Sequence, residues 1–210
     1  MKPAFDKLKE DKRNTIINAC LEEFAEKGYE KASTNIIVNR AGISKGLLFH
    51  YFGSKKNLYL YLLDMTIQHF VDRMLELQAE PKDDIFERII QSGMIKVQMA
   101  YEEPLMYKLI MEAFIDTPSG MEEDINHRYQ KLYDQSMPGA FENIDYTKFR
   151  DDIDKSKAIE FMILCLDSIY NKYVKMAKGK AMKLSIEEAE AIVREQYVFV
   201  DMIKHGIYKT

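Results

Sequence analysis

The stretch Ser33 to Lys56, STNIIVNRAGISKGLLFHYFGSKK, constrains this chain more than any other. Thr34 to Arg40 can close one short helix, and Ala41-Gly42-Ile43 supplies a turn in which Gly42 accepts a positive φ. Ser44 can then cap a second short helix through His50. Ile37, Val38, Ala41, Ile43, Leu47, Leu48 and Phe52 would form a small core between the two helices. Ser44, Lys45, Gly46, Phe49, His50 and Tyr51 are left less committed to packing. Two short helices about a tight turn have helix-turn-helix grammar.

The remainder of the chain has helical periodicity. Apolar residues between about Asp6 and Lys27 (Ile16, Ile17, Ala19, Cys20, Leu21, Phe24, Ala25) make a first helix that roofs the pair, with Gly28 as its C′ residue. Ser54 caps a long fourth helix to about Gln78, whose apolar face is too broad for a surface helix; it should link the head to the body. Asp83 can cap a fifth helix to about Tyr101, and Leu105 to Asp116 forms a short sixth. Ser119 with Glu122 reads as a capping box opening a seventh helix to about Ser136. Residues 137–152 form the longest irregular segment. The last two helices run from about Asp154 to Lys178 and from the capping box Ser185 to Glu188 onward. No stretch alternates with period two, and no Asn-Gly or Asp-Gly hairpin turn occurs. The expected fold is therefore all-α with about nine helices: a helix-turn-helix head over residues 1–53 and a larger helical body over 54–210.

Charge divides along the same line. Residues 1–57 hold 11 Lys and Arg against 7 Asp and Glu, net +4, which leaves −8 of the overall −4 for the rest. A basic reading head on an acidic body suits a nucleic-acid partner. Cys20 and Cys165 lie far apart among apolar neighbours, as buried reduced thiols would, which points to a reducing compartment. The charged N-terminus lacks an apolar h-region, and no apolar run approaches the length of a membrane span. The expected location is cytoplasmic.

Catalytic readings fare poorly. Gly42-Ile43-Ser44-Lys45-Gly46 matches the G-x-S-x-G nucleophile elbow, but that motif needs a strand before the serine and Thr34 to Arg40 has no β signature. His50, His69, His127 and His205 are scattered, none sits at metal-ligand spacing, and no phosphate-cradling glycine loop is present. No cofactor, metal or catalytic residue is expected. An all-helical enzyme and a non-DNA-binding helical scaffold stand as the alternatives to a DNA reader.

The head offers groups suited to DNA. Ser33 and Thr34 at one helix start, and Ser54, Lys55 and Lys56 at another, place N–H donors, hydroxyls and cations where phosphates could sit. Lys7, Lys9, Lys12 and Arg13 could brush phosphates near the first helix. Lys45, with Ser44, Gly46 and His50, could face base edges, since lysine can donate to guanine O6 and N7 and Gly46 permits close approach.

The run Gly28-Tyr29, Ser33-Thr34, Ile37-Val38, Ala41 to Gly46, Phe49 to Phe52 and Ser54 to Leu58 resembles the DNA-binding signature of TetR-type bacterial transcriptional regulators. Phe49 departs from the tyrosine common at its place in that family, and Tyr51 is the neighbour that could supply a hydroxyl to phosphate. The resemblance implies a homodimer that joins through the last two helices and binds a pseudo-palindromic operator. It further implies a body that binds a small-molecule effector, most often in a repressor. The segment from Met94 to Met137 is dense in Met and Tyr, which suits a cavity for an apolar or aromatic ligand. Tyr107, Met111, Phe114, Tyr133, Phe161 and Cys165 are the candidate lining residues.

Overall fold

Helices account for the folded chain because its apolar residues recur every three to four positions between capping and breaking residues. The computed structural model describes residues 3–77, 83–136, 144–179 and 186–208. They form ten α-helices: α1 (Pro3–Asp6), α2 (Glu10–Lys31), α3 (Thr34–Ala41), α4 (Lys45–Phe52), α5 (Lys55–Leu77), α6 (Ile85–Glu102), α7 (Pro104–Ile115), α8 (Glu122–Ser136), α9 (Lys155–Gly179) and α10 (Ile186–Ile207). A 3₁₀ turn spans Tyr146–Lys148. The extra helix relative to expectation is α1, split from the first helix. Its Phe5 is fully buried, with ring centroids 5.5, 4.8 and 5.6 Å from those of Tyr51, Phe52 and Tyr61. The N-terminal segment is thus pinned by one aromatic side chain rather than by helix continuity.

Most boundaries fall where local chemistry puts them. Gly28 takes φ 69°, ψ 170° and kinks α2, so the regular helix ends where a C′ glycine was expected and a further short turn carries the chain to Lys31. Ser44 Oγ accepts the Leu47 N–H at 3.1 Å, Ser54 Oγ that of Asn57 at 3.0 Å, and Asp154 Oδ1 that of Lys157 at 3.0 Å. Two caps differ from expectation. Asp84, not Asp83, opens α6, accepting from the Phe86 N–H at 2.9 Å and Glu87 N–H at 3.4 Å. Glu122 reaches back to the Gly120 N–H at 3.2 Å rather than to Ser119, because Gly120 at φ +74° turns its amide toward the helix start. The capping serine expected for α10, Ser185, lies outside the described residues.

The chain divides into two compact units, residues 1–73 with 102–133 and residues 74–101 with 134–210. In the first, α2 packs on α3 and on α7, and α3 on α4. Its core includes Ile16, Cys20, Phe24, Ile37, Leu48, Phe52, Leu58, Leu62 and Leu63, each fully buried or nearly so. Ile43 and Leu47, expected in the small core of the head, are only half-buried. Burial pushes the Cys20 thiol up to about 12, as an inert core cysteine requires. Cys20 and Cys165 are both free thiols. Two ion-pair groups tie α8 to α5. Arg128 binds both carboxylate oxygens of Asp64 at 2.7 and 2.8 Å, while Lys56 meets Asp124 at 2.8 Å and the Gly120 carbonyl at 3.2 Å.

The second unit is built on Ile85, Phe86, Phe149, Ala158, Met162, Val200, Ile207 and Tyr208. Phe149 and Tyr208 form an isolated antiparallel bridge, which fastens the residue after the 3₁₀ turn to the end of α10. Among the described helices, none is long and apolar enough to cross a membrane.

Candidate nucleic-acid interface

The geometry of α3, its turn and α4 arises from three local devices. Gly42 adopts φ 60°, ψ 43°, a left-handed conformation that closes α3, with the Ile43 N–H donating to the Val38 carbonyl at 3.1 Å. Ser44 then starts α4 through its cap. Leu48, Tyr51 and Phe52 point into the core at 1 %, 7 % and 0 % exposure. That leaves Lys45, Gly46 and His50 exposed, with Phe49 half-buried beside them. Gly46 and His50 are four residues apart and share a face of the helix. A Cβ at Gly46 would meet only Ser44 Oγ at 4.0 Å, so nothing within the chain demands glycine there. The glycine leaves the helix surface open to close approach from outside.

At the start of α3, the Ser33 N–H donates to Glu23 Oε1 at 2.9 Å, and Glu23 is 1 % exposed. This carboxylate already complements the positive end of α3, and its Oε2 faces Arg40 Nη1 at 3.6 Å. Ser33 therefore has its hydroxyl, not its amide, left for a phosphate, beside Thr34 in the first turn. Neither Glu23 nor its role was legible from sequence, since the cap comes from a residue ten positions upstream. The one signal was the pair of carboxylates, Glu22 and Glu23, inside the run from Cys20 to Ala25.

The second expected phosphate group is partly engaged. Lys55 Nζ donates to the Glu30 carbonyl at 3.2 Å and lies 4.8 Å from the centre of the Tyr29 ring. Lys56 is turned toward Asp124. Tyr51, expected to offer a hydroxyl to phosphate, has its ring packed against Phe5, so its body serves the core of the head. Lys7 and Lys9 are exposed, but Lys12 is turned onto the carbonyls of Ala41 and Gly42 at 3.1 and 3.3 Å.

The six residues expected to line an effector cavity are distributed over both units. Tyr107, Met111, Phe114 and Tyr133 belong to the first unit, Phe161 and Cys165 to the second. Met111 is 6 % exposed, the Tyr107 ring lies 6.1 Å from Phe70, and burial raises the Tyr107 hydroxyl to about 12. Phe114 meets Tyr129 edge-to-face at 5.2 Å. Tyr133 and Phe161 point outward, at 41 % and 54 % exposure. Phe161 faces outward because the inward side of α9 is taken by Ala158 and Met162. A surface cleft of about 300 Å³ is lined by His69, Glu103, Pro104, Leu105 and Met106. In it the His69 Nε2 stands 2.6 and 2.8 Å from the two Glu103 carboxylate oxygens.

A helix held by an N-cap serine with its glycine, lysine and histidine outward, after a left-handed glycine turn, defines a helix-turn-helix DNA-binding protein. Comparison with known proteins agrees. Residues 16–62 match the family model described as bacterial regulatory proteins, tetR family. The chain is 25 % identical to the HTH-type transcriptional repressor AcnR of Corynebacterium glutamicum, over 88 % of this chain and 93 % of that protein. It is 33 % identical to the fatty acid metabolism regulator protein of Bacillus subtilis, over 33 % of this chain and 36 % of that one. A TetR family regulator from Chloroflexus aurantiacus shares the fold at a TM-score of 0.64 and 22 % identity, over 99 % of this chain and 98 % of that chain. The fatty acid degradation regulator FadR of Bacillus halodurans does so at 0.63 and 18 %, over 94 % and 96 %. Residues 16–62 thus match the DNA-binding segment of tetR-family regulators, and over its length the chain is similar to DNA-binding transcriptional regulators.

Proposed function

We propose that this regulator is a cytoplasmic repressor that binds a pseudo-palindromic operator as a homodimer and leaves it when a small apolar or aromatic effector binds. The observation that carries the DNA-reading part is the exposure of Lys45, Gly46 and His50 on the capped helix α4. Lys45 and His50 face base edges, with Ser44 and Gly46 beside them. Ser33, Thr34, Lys55 and the Tyr51 hydroxyl position the head on phosphates, and Phe49 packs against sugar or a thymine methyl. In functional terms residues 1–53 read DNA and residues 54–210 sense and dimerise, a division of labour that need not coincide with the compact units.

A head of this size reads few base pairs, so specificity calls for two heads a helical turn or so apart. The outward row of Phe161 and Leu164 on α9, with Tyr197, Val198 and Met202 on α10, supports a dimer through these two helices. An apolar effector fits the Met and Tyr content of the first unit, with Tyr107, Met111 and Phe114 as its contacts. It also fits the names of the two fatty-acid regulators among its relatives. Repression fits the name of the corynebacterial relative. For release, the effector must favour one conformer: moving a 1:99 balance to 99:1 takes about 5.5 kcal/mol of differential affinity.

The test is selection of bound sequences from a random duplex pool with the full-length protein at two salt concentrations. A two-fold symmetric site recovered at both is the expected result; salt-sensitive binding with no recovered sequence would sink the reading. On the recovered duplex, Lys45→Ala is expected to lose about 1–3 kcal/mol and relax preference at one base position. Lys55→Ala should weaken all duplexes alike and make the salt dependence shallower by about one ion. Competition with single-base variants of the site distinguishes the two, and uniform loss from Lys45→Ala would remove it from base reading.

A further inference from the structure

We infer that Lys12 is a positioning residue for the DNA-reading helix: its ammonium clamps the turn between α3 and α4 and does not contact phosphate. This rests on the reading of α4 as the base-reading helix. Lys12 lies in the first turn of α2, before the segment that matches the family model. Its sequence position suggests a solvated cation free to meet the DNA backbone. Its Nζ instead reaches across 29 and 30 positions of sequence to the Ala41 carbonyl at 3.1 Å and the Gly42 carbonyl at 3.3 Å.

The physical chemistry accounts for this choice. The last carbonyls of a helix have no donor within the helix itself, and they form the negative end of its dipole. Ala41 is the final residue of α3, and Gly42 is its left-handed cap. The backbone bonds Gly42 N–H to Asn39 O, at 3.3 Å, and Ile43 N–H to Val38 O serve other carbonyls. An ammonium with three donors suits the Ala41 and Gly42 carbonyls, which those two bonds do not serve. Conversely, a cation in the first turn of α2 has the wrong sign for its own helix dipole. Lys12 is thus unfavourable where it stands and favourable where it reaches. Ser44, the cap of α4, comes directly after the turn that Lys12 holds, so the clamp sets the angle at which Lys45, Gly46 and His50 are presented.

Two roles of a lysine near DNA separate by salt. A phosphate contact contributes about 0.9 to the slope of log K against log salt, on any sequence. A clamp contributes nothing to that slope and acts on discrimination. The experiment compares the wild-type full chain with Lys12→Met and Lys12→Arg, first without DNA, by amide hydrogen exchange. Lys12→Met is expected to speed exchange at Gly42 and Ile43 roughly tenfold, the equivalent of one lost bond to a charged donor. Lys12→Arg, whose guanidinium still donates, should restore it. Should the Met variant not fold, Lys12→Gln takes its place. Unchanged exchange at both amides overturns the clamp. Binding is then measured on the duplex recovered by selection and on a random duplex of equal length. The expected result is a roughly tenfold lower ratio of the two affinities at an unchanged salt slope. Equal losses on both duplexes with a slope shallower by about 0.9 would make Lys12 a phosphate contact and overturn the proposal. If wild-type protein shows no preference between the duplexes, the DNA-reading assignment of α4 fails, while the exchange result still decides the clamp.

Discussion

Asp84→Ala should destabilise the second compact unit by about 3 kcal/mol, which combines one lost N-cap at about 1 kcal/mol with one lost charged hydrogen bond at about 2 kcal/mol. In a chain of this length that corresponds to a fall in melting temperature of roughly 6–12 °C, read by calorimetry or circular dichroism. The size reflects how many elements meet at one carboxylate. Asp84 is 7 % exposed. Its Oδ1 caps α6 through the Phe86 and Glu87 N–H groups, while its Oδ2 accepts from Lys204 of α10 at 3.1 Å and faces Lys148 of the 3₁₀ turn at 3.8 Å. Alanine leaves an uncapped helix start and strips Lys204 of its partner, although this half-exposed lysine can turn to water. A melting temperature within 2 °C of wild type would show that the cluster is dispensable.

The same carboxylate gives the unit a pH dependence of definite sign. Burial acts to raise the Asp84 pKa, but the Lys204 ammonium and the two N–H donors outweigh it and hold the carboxyl below its ordinary value. The unfolded chain then binds the proton more readily than the folded one, so this contribution is fully present above the unfolded pKa of about 3.9. It is lost as pH falls through the lower folded value. Acid titration of Asp84→Asn should therefore show a flatter loss of stability below about pH 4 than wild type.

How far the sequence announces this structure depends on the range over which a residue acts. The caps by Ser44, Ser54 and Asp154 and the left-handed Gly42 are settled within a few residues, so the head and most helix boundaries could be read directly. Asp84 displaces Asp83 as cap by one position, which is the limit of local reasoning when two carboxylates stand side by side. The long-range contacts were illegible for a common reason. Phe5 against Tyr51 and Tyr61, Glu23 under Ser33, Lys12 over Ala41 and Arg128 on Asp64 all join residues whose separation in sequence carries no periodic signal. The orientation of Phe161 was equally out of reach, because helical periodicity marks it as apolar without saying which side of α9 meets the core. Once Ala158 and Met162 occupy that side, Phe161 must face out.

That outward face carries the other large prediction, which concerns the proposed dimer. Leu164→Asp is expected to convert a dimer into a monomer at concentrations where wild type is fully paired. Leu164 is 59 % exposed three residues from Phe161, and Val198 and Met202 on α10 are 53 % and 65 % exposed. Large apolar side chains held in water at helical spacing on two successive helices are the surface an isologous contact would cover. Burying one leucine is worth about 2 kcal/mol, and a two-fold interface counts each substitution twice. The loss is thus at least about 4 kcal/mol before any cost of burying the two new charges, or roughly a thousandfold in the dimer dissociation constant. Sedimentation across a concentration series reads this directly, and fluorescence anisotropy on the recovered duplex should show the symmetric site bound no better than a half-site. Leu75→Asp is the control, since Leu75 is exposed to 61 % but lies on α5; it should leave the mass unchanged. A dimer that persists in Leu164→Asp and Met202→Asp alike would place the contact on another surface.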